Sequence, residues 1–264
     1  MSLQTRRPAS QYLLPLAFLV LLLAVWQVIG SRASVGFWVL PTPLSILQVF
    51  IGQPGLIWQH LKPTLWESLI GLALATLLGV LFALAMHSSR LIRQIFYPYL
   101  VVSQTVPIIA VAPLIILWFG FGIAAKIFVV VLVCFFPIAL GLFDGLRQVP
   151  VEQIRLLKSM GASAWKIYRL LKLPSALPNF FTGLKLAATY SVMGAVIGEW
   201  LGGNAGLGIY LTRATRSFRT EHVFAAILAI VLLSLLIFGC VALLDRVLLN
   251  WHYKKIEEYE DTAA

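Results

Sequence analysis

Charged side chains are scarce in this sequence. Aspartate, glutamate, lysine and arginine supply 11% of its 264 residues, while 60% are hydrophobic. A soluble chain spends roughly a quarter of its positions on charge. Apolar runs of about 20 residues, the length that crosses a bilayer, recur along the chain, and the polar remainder is too small and scattered to build a soluble domain. Cysteine is nearly absent: Cys134 and Cys240 both lie in apolar runs, where a free thiol behaves as a small hydrophobe. Neither spacing nor neighbours indicate a disulfide or a metal centre. The four histidines, His60, His87, His222 and His252, stand too far apart to form a ligand pattern. No Gly-Lys dipeptide occurs, which excludes a phosphate-cradling GxxxxGK(S/T) loop. The nearest approach to a serine-nucleophile elbow is Gly161-Ala162-Ser163-Ala164-Trp165, which lacks the final glycine and a preceding strand. The chain reads as a membrane protein that catalyses nothing itself.

The net charge of +10 points away from nucleic acid once its distribution is considered. Basic residues fall in short links between apolar runs, where they set membrane orientation. Six spans are expected, at about 12–29, 65–86, 96–118, 123–143, 179–200 and 223–244. The expected fold class is therefore all-α and polytopic, one membrane domain over residues 1–264. Its cytoplasmic loop covers about 144–178 and its short cytoplasmic tail about 245–264. The first run follows Arg6 and Arg7 and exceeds the 7–15 residues of a signal-peptide core, so it reads as a retained span. "FGFGIAAK" supplies a tight hairpin link between spans three and four. With the N-terminus inside, Arg32, Lys62, Lys126, Arg213, Arg216 and Arg219 fall outside and the other basic residues inside. That asymmetry favours both termini in the cytoplasm.

Small residues recur at every fourth position on two spans. Gly71, Ala75, Gly79 and Ala83 do so on the second; Gly183, Ala187, Ser191 and Ala195 do so on the fifth, with Gly194, Gly198 and Gly202 on a neighbouring face. Such ladders let helix backbones approach. Packing is the plain reading, a sliding gate the alternative. Pro107, Pro113 and Pro137 each remove a backbone hydrogen bond, and in lipid the freed carbonyls need protein or a water-filled cavity. Gln104 and Thr105 adjoin Pro107, so "SQTVPIIAVAP" reads as pathway-lining, against a purely structural kink. No lysine or carboxylate falls mid-span in this assignment, which leaves no proton or sodium relay. Glu67 and Glu199 sit near the outer ends of spans two and five. Glu199, beside Trp200, stands either at a moving contact or as a solvated helix-end carboxylate.

Between Asp144 and Pro178 the pattern turns mixed. Glu152 to Ser159 can form a short helix ended by Gly161 in a left-handed cap, and Ser163 can cap a second. Trp165, Tyr168 and Leu171 line one side of that second helix among Arg155, Lys158, Lys166, Arg169 and Lys172. Pro174 and Pro178 are expected to end it. A solvated connector, a surface-lying amphipathic helix and a docking helix all fit the basic charge. The docking reading also explains the stiff helix–glycine–helix–proline construction.

These residues carry a family resemblance. Gly161, nine residues, Leu171, one residue and Leu173-Pro174 resemble the EAA loop of ATP-binding-cassette importer permeases. The six-span frame is similar to type I importers of the sulfonate, taurine, nitrate and aminopyrimidine group. "LPTPLSILQVF", "VPIIAVAPLIILWFGFG" and "GAVIGEWLGGNAGLG" each resemble segments of that group. One departure is that Arg155-Leu156-Leu157 stands where Glu-Ala-Ala is usual. The resemblance implies a permease that forms the pathway with a second permease chain, in a homodimer. It also implies two cytoplasmic ATPase subunits that bind the ATP and magnesium, an extracytoplasmic substrate-binding protein, and a bacterial inner membrane. Coupling to the ATPase would fall to Arg155, Gly161, Ala162, Ser163, Trp165, Leu173 and Pro174. The pathway would fall to Gln104, Pro107, Pro113, Tyr190, Met193 and Glu199. "LPNFFTGLKLAATYSVMGAVIGEWLGG" is more similar to permeases of the thiamine-precursor branch than to the sulfonate branch, so an aminopyrimidine is the expected cargo. Sulfonate, taurine and nitrate are the alternatives. A secondary carrier would instead call for mid-membrane ionisable residues and an internal repeat, and a membrane enzyme for a reactive constellation.

Overall fold

The computed structural model describes residues 10–32, 40–200, 202–251 and 253. Among these there are helices and connecting turns and no strand. Continuous apolar composition makes the helices: a backbone inside a bilayer must satisfy its own hydrogen bonds. In order they are α1 (Ser10–Ser31), α2 (Pro43–Gly52), α3 (Pro54–Ser88), α4 (Arg90–Ser103), α5 (Ile108–Phe119) and α6 (Ile123–Arg147). There follow α7 (Val151–Ser159), α8 (Ala164–Ile167), a π turn (Tyr168–Lys172), α9 (Leu173–Trp200), α10 (Leu207–Arg216) and α11 (Thr220–Leu248). Five helical stretches are long and apolar enough to cross a membrane: Leu13–Ser31, α3, α6, Ala164–Trp200 and α11.

The third expected span is not one rod. Residues 96–118 divide between α4 and α5, which meet at 107°. Pro107 is the cause: it cannot donate within a helix and disfavours helical backbone at the residue before it. The last turn of α4 is closed instead by Ser103 Oγ and Thr105 Oγ1, which donate to the carbonyls of Leu100 and Val102 at 2.9 and 2.7 Å. The hairpin link between α5 and α6 has the expected place, with Gly120 at φ +74° ending α5.

The expected stop at Pro174 and Pro178 does not occur either. α8, the π turn and α9 continue as one 37-residue helix from Ala164 to Trp200. In the π turn the Leu173 amide donates to the Tyr168 carbonyl. This wider winding makes room for a proline ring that would otherwise meet a carbonyl one turn back. The loop between α6 and α9 is therefore mechanically continuous with a helix long and apolar enough to cross a membrane.

At the centre α6 lies between α3 and α9, and the small-residue ladders sit at these contacts. Gly71 and Gly194 face Val130 from opposite sides, and Gly79 faces Ile138. Gly141 and Gly145 of α6 approach the backbone at Asn179 and Ala176 of α9. Both ladders pack closely against α6 in this arrangement. Gly183 stands directly on the Pro137 carbonyl of α6. A Cβ there would fall on main-chain atoms, so Gly183→Val is expected to destabilise the bundle by about 1–3 kcal/mol or more. Thermal unfolding in detergent reads this directly, and an unchanged midpoint would contradict the α6–α9 contact. Further out, α1 is tied to α2 and α11. Trp26 Nε1 donates to the Pro41 carbonyl at 3.1 Å, Gln27 Oε1 accepts from the Leu44 amide at 3.2 Å, and the Trp26 and Phe224 rings are 5.8 Å apart.

Candidate functional site

The break between α4 and α5 opens a cavity of about 730 Å³. Ser103, Gln104 and Pro107 form one wall, Phe136 and Pro137 of α6 a second, and Leu186, Tyr190 and Met193 of α9 a third. Among the described residues, no charged side chain lines it. Its chemistry is that of aromatic and aliphatic surface with an amide, a hydroxyl and a phenol. Of the residues the sequence nominated for a pathway, Gln104, Pro107, Tyr190 and Met193 line this cavity together. Pro113 does not: it lies exposed on α5. Glu199 does not either, being fully buried elsewhere. Pro137, noted only as a kink, belongs to the wall, as does Phe136, which no pattern singled out.

On the loop, α7 begins after Pro150 and carries Glu152 in its first turn and Lys158 in its last, each favourable to the helix dipole. It ends in a Schellman motif. The Ala162 amide donates to Leu157 O at 2.9 Å and the Gly161 amide to Lys158 O at 3.0 Å, with Gly161 at φ +77°. Ser163 then caps α8, its Oγ accepting from the Lys166 amide at 3.3 Å. Trp165 stacks on Tyr168 with ring centroids 5.9 Å apart, yet is 68% exposed. Leu156, Met160 and Leu170 of the same loop are exposed as well. Among the nominated loop residues, Arg155, Gly161, Ser163 and Trp165 are exposed, and Ala162, Leu173 and Pro174 half-buried. The root of the loop is held to α3, with Lys172 Nζ 3.1 Å from His87 Nε2.

A third site lies beyond what the sequence indicated. Glu199 is not a solvated helix-end carboxylate: it is fully buried. Its Oε1 accepts from Thr64 Oγ1 and its Oε2 from the Gly208 amide, both at 2.6 Å. Thr64 Oγ1 in turn accepts from the Leu207 amide at 2.9 Å. Close by, Lys126 Nζ donates to Glu67 Oε1 at 2.8 Å, with both side chains under a tenth exposed. His60 Nδ1 lies 3.0 Å from the Gly206 carbonyl and 3.2 Å from its amide nitrogen, and the ring stacks on Tyr210 at 5.1 Å. Lys126 is in the first turn of α6 and Glu199 is the next-to-last residue of α9, while Glu67 lies more than three turns inside the 35-residue α3. A second pair joins Lys185 of α9 to Asp245 of α11 at 2.8 Å. Pairing is what makes such burial tolerable.

The run "GGNAGLG" (202–208) is glycine-rich for a local reason. A Cβ at Gly206, where φ is +138°, would fall on the Glu199 carboxyl group, and one at Gly203 would stand 3.1 Å from Lys126 Nζ. Bare backbone lies over the buried charges. The available signal was this glycine run beside Glu199, together with a lysine and a glutamate on neighbouring spans.

Comparison with known proteins accords with this architecture. Residues 75–249 match the family model described as "Binding-protein-dependent transport system inner membrane component". The chain is 39% identical over 246 residues to the formylaminopyrimidine transport permease protein ThiX of Halalkalibacterium halodurans, covering 93% of this chain and 98% of that one. It is 38% identical over 224 residues to a probable ABC transporter permease protein of Haemophilus influenzae, covering 85% and 91%, and 31% identical over 258 residues to the taurine transport system permease protein TauC of Escherichia coli, covering 95% and 94%. Among solved structures, the inward-facing MetNI methionine ABC transporter gives a TM-score of 0.63 at 18% identity, over 74% of this chain and 97% of that one, a likeness of fold. With a family match across two thirds of its length and relatives spanning nearly all of it, this chain belongs to the inner-membrane permease components of binding-protein-dependent ABC transport systems.

Proposed function

We propose that this permease subunit imports a small, nearly neutral aminopyrimidine, a thiamine precursor, and that the cavity at the α4–α5 break is part of its translocation pathway. The observation that carries the reading is the cavity wall: Phe136 and Tyr190 offer aromatic surface, Gln104 an amide, and none of the described lining side chains is charged. A planar heteroaromatic can stack on rings and pair with an amide. A sulfonate or nitrate would leave its charge unmatched in such a site. The similarity to a formylaminopyrimidine permease over nearly the full length supports the same cargo. The second reading, a sulfonate or taurine, is favoured by the relatives that carry those names.

The exposed Trp165, Leu156 and Met160 around a rigid Gly161 cap form the surface on which a cytoplasmic ATPase subunit docks. Because α8 runs without a stop into α9, a push on the loop reaches Tyr190 and Met193 along one helix. In this reading both termini are cytoplasmic. Two copies of the chain face each other across the pathway, and an extracytoplasmic binding protein delivers the cargo.

The test is reconstitution in lipid nanodiscs with the ATPase and binding protein, measuring ATP hydrolysis with aminopyrimidines, sulfonates or nitrate. Stimulation by binding protein loaded with an aminopyrimidine is expected. Stimulation by a sulfonate alone would discard the cargo and keep the importer. Failure of any ATPase to associate would remove the docking assignment.

A further inference from the structure

The cluster under the glycine run contains two carboxylates and one amine. Glu67, Glu199 and Lys126 are 2%, 0% and 7% exposed. Fully ionised, the three carry one net negative charge. A buried charge without a partner is so costly that such a group neutralises instead. The remaining neighbours do not cancel it. From α3 come Thr64, which is neutral, and His60, which is engaged with the Gly206 backbone and Tyr210. From α6 comes Lys126 and from α9 Glu199. From α10 comes Arg213, which is exposed and donates to the Asn204 carbonyl at 3.2 Å.

Hydrogen bonding tells the two carboxylates apart. Both oxygens of Glu199 already accept, from the Thr64 hydroxyl and the Gly208 amide, which suits an ionised group. On Glu67, Oε1 accepts from Lys126, but Oε2 is buried and has no donor to accept from. Glu67 follows Thr64 by three residues on α3, so it shares the helix face from which Thr64 Oγ1 donates to Glu199. A proton on Glu67 Oε2 therefore meets two needs at once. It gives the orphaned oxygen a hydrogen bond to make, and it reduces the cluster to one lysine against one carboxylate.

We propose that the cluster is a proton-binding site, in which one proton rests on Glu67 Oε2, donates to the Glu199 carboxylate, and is sealed from water by residues 202–208. The bound proton is what allows bare glycine backbone to close over three ionisable groups. Lifting that segment would withdraw the Gly208 amide and the Leu207–Thr64 link from Glu199 and open the proton to solvent, so closure of the outer segment and proton occupancy are linked. No part of this rests on the cargo or on an ATPase.

Infrared spectroscopy of the purified full chain in nanodiscs at neutral pH tests the site. The wild-type protein should show the carbonyl-stretch band of a protonated carboxylic acid, shifted to lower frequency in heavy water. Isotopic labelling of glutamate carboxyl carbons should also move it, which assigns it to glutamate without any substitution. Glu67→Gln should abolish the band, since the amide takes the proton's place in donating to Glu199. Glu199→Gln should abolish it too, because Glu67 then ionises against Lys126. Absence of the band from wild type, or a band that glutamate labelling leaves in place, would overturn the proposal. So would a band that survives Glu67→Gln unchanged.

Discussion

Replacing Lys126 with methionine is expected to lower the stability of the bundle by about 3–5 kcal/mol, the usual consequence of removing one member of a buried ion pair. Methionine keeps most of the aliphatic stem, so no large void forms and the loss is one of charge. Lys126 Nζ is 2.8 Å from Glu67 Oε1. The backbone of α6 at this residue lies so close to α9 that a Cβ at Gly198 would stand 3.0 Å from Lys126 Cα. Without the amine, the cluster keeps negative charge in a place that water does not reach. Thermal unfolding in detergent, monitored by circular dichroism, measures the effect. Lys62→Met serves as the control: Lys62 is exposed over Trp58, its Nζ 5.2 Å from the ring centroid, and its loss should stay within about 0.5 kcal/mol. Equal effects at the two lysines would mean that the pair contributes nothing to the fold.

The second large effect is on transport. Gly161→Val is expected to reduce coupled uptake by about tenfold while leaving the unfolding midpoint of the bundle unchanged. At φ +77° only glycine is comfortable, and an L-residue held there costs about 1–2 kcal/mol, close to a factor of ten in the population of the native loop. The cost is conformational and not steric, because a Cβ at this position would meet nothing within 4 Å. The loop would exchange its Schellman turn for other shapes, misaiming Trp165 relative to α7. Asparagine, which tolerates left-handed backbone, should recover much of the uptake at the same position. A Gly161→Val protein that transports normally would show that the shape of the loop does not matter to docking.

The two substitutions differ in how far the sequence foretold them. Gly161 and Ser163 were legible because caps are local. A glycine after a short basic helix, and a serine before the next, need nothing from the rest of the chain to do their work. Gln104 and Pro107 were legible for a similar reason, since a proline beside polar residues in an apolar run must open the helix somewhere. Pro174 misled, because its effect depends on whether the preceding turn widens to receive it, and the π turn at Tyr168–Lys172 does; Pro178 is carried inside α9. Glu199 misled more deeply. Its position next to Trp200 looks like a helix end at the membrane surface, and only the returning segment 202–208, folded back over it, makes it buried.

By itself, then, the sequence determined the membrane class, the approximate number of spans, the caps of the loop before α9 and the ladders by which helices pack. Each of these follows from composition and from spacings of a few residues, where the physics is local. Only the tertiary structure decided that Lys126 meets Glu67 across 59 positions and that Thr64 meets Glu199 across 135. It likewise decided that Gln104 and Tyr190 share one cavity. A buried charge is stable or ruinous according to its partner, and the partner of a charge in a helical bundle is chosen by how the helices pack, which no stretch of the chain contains alone.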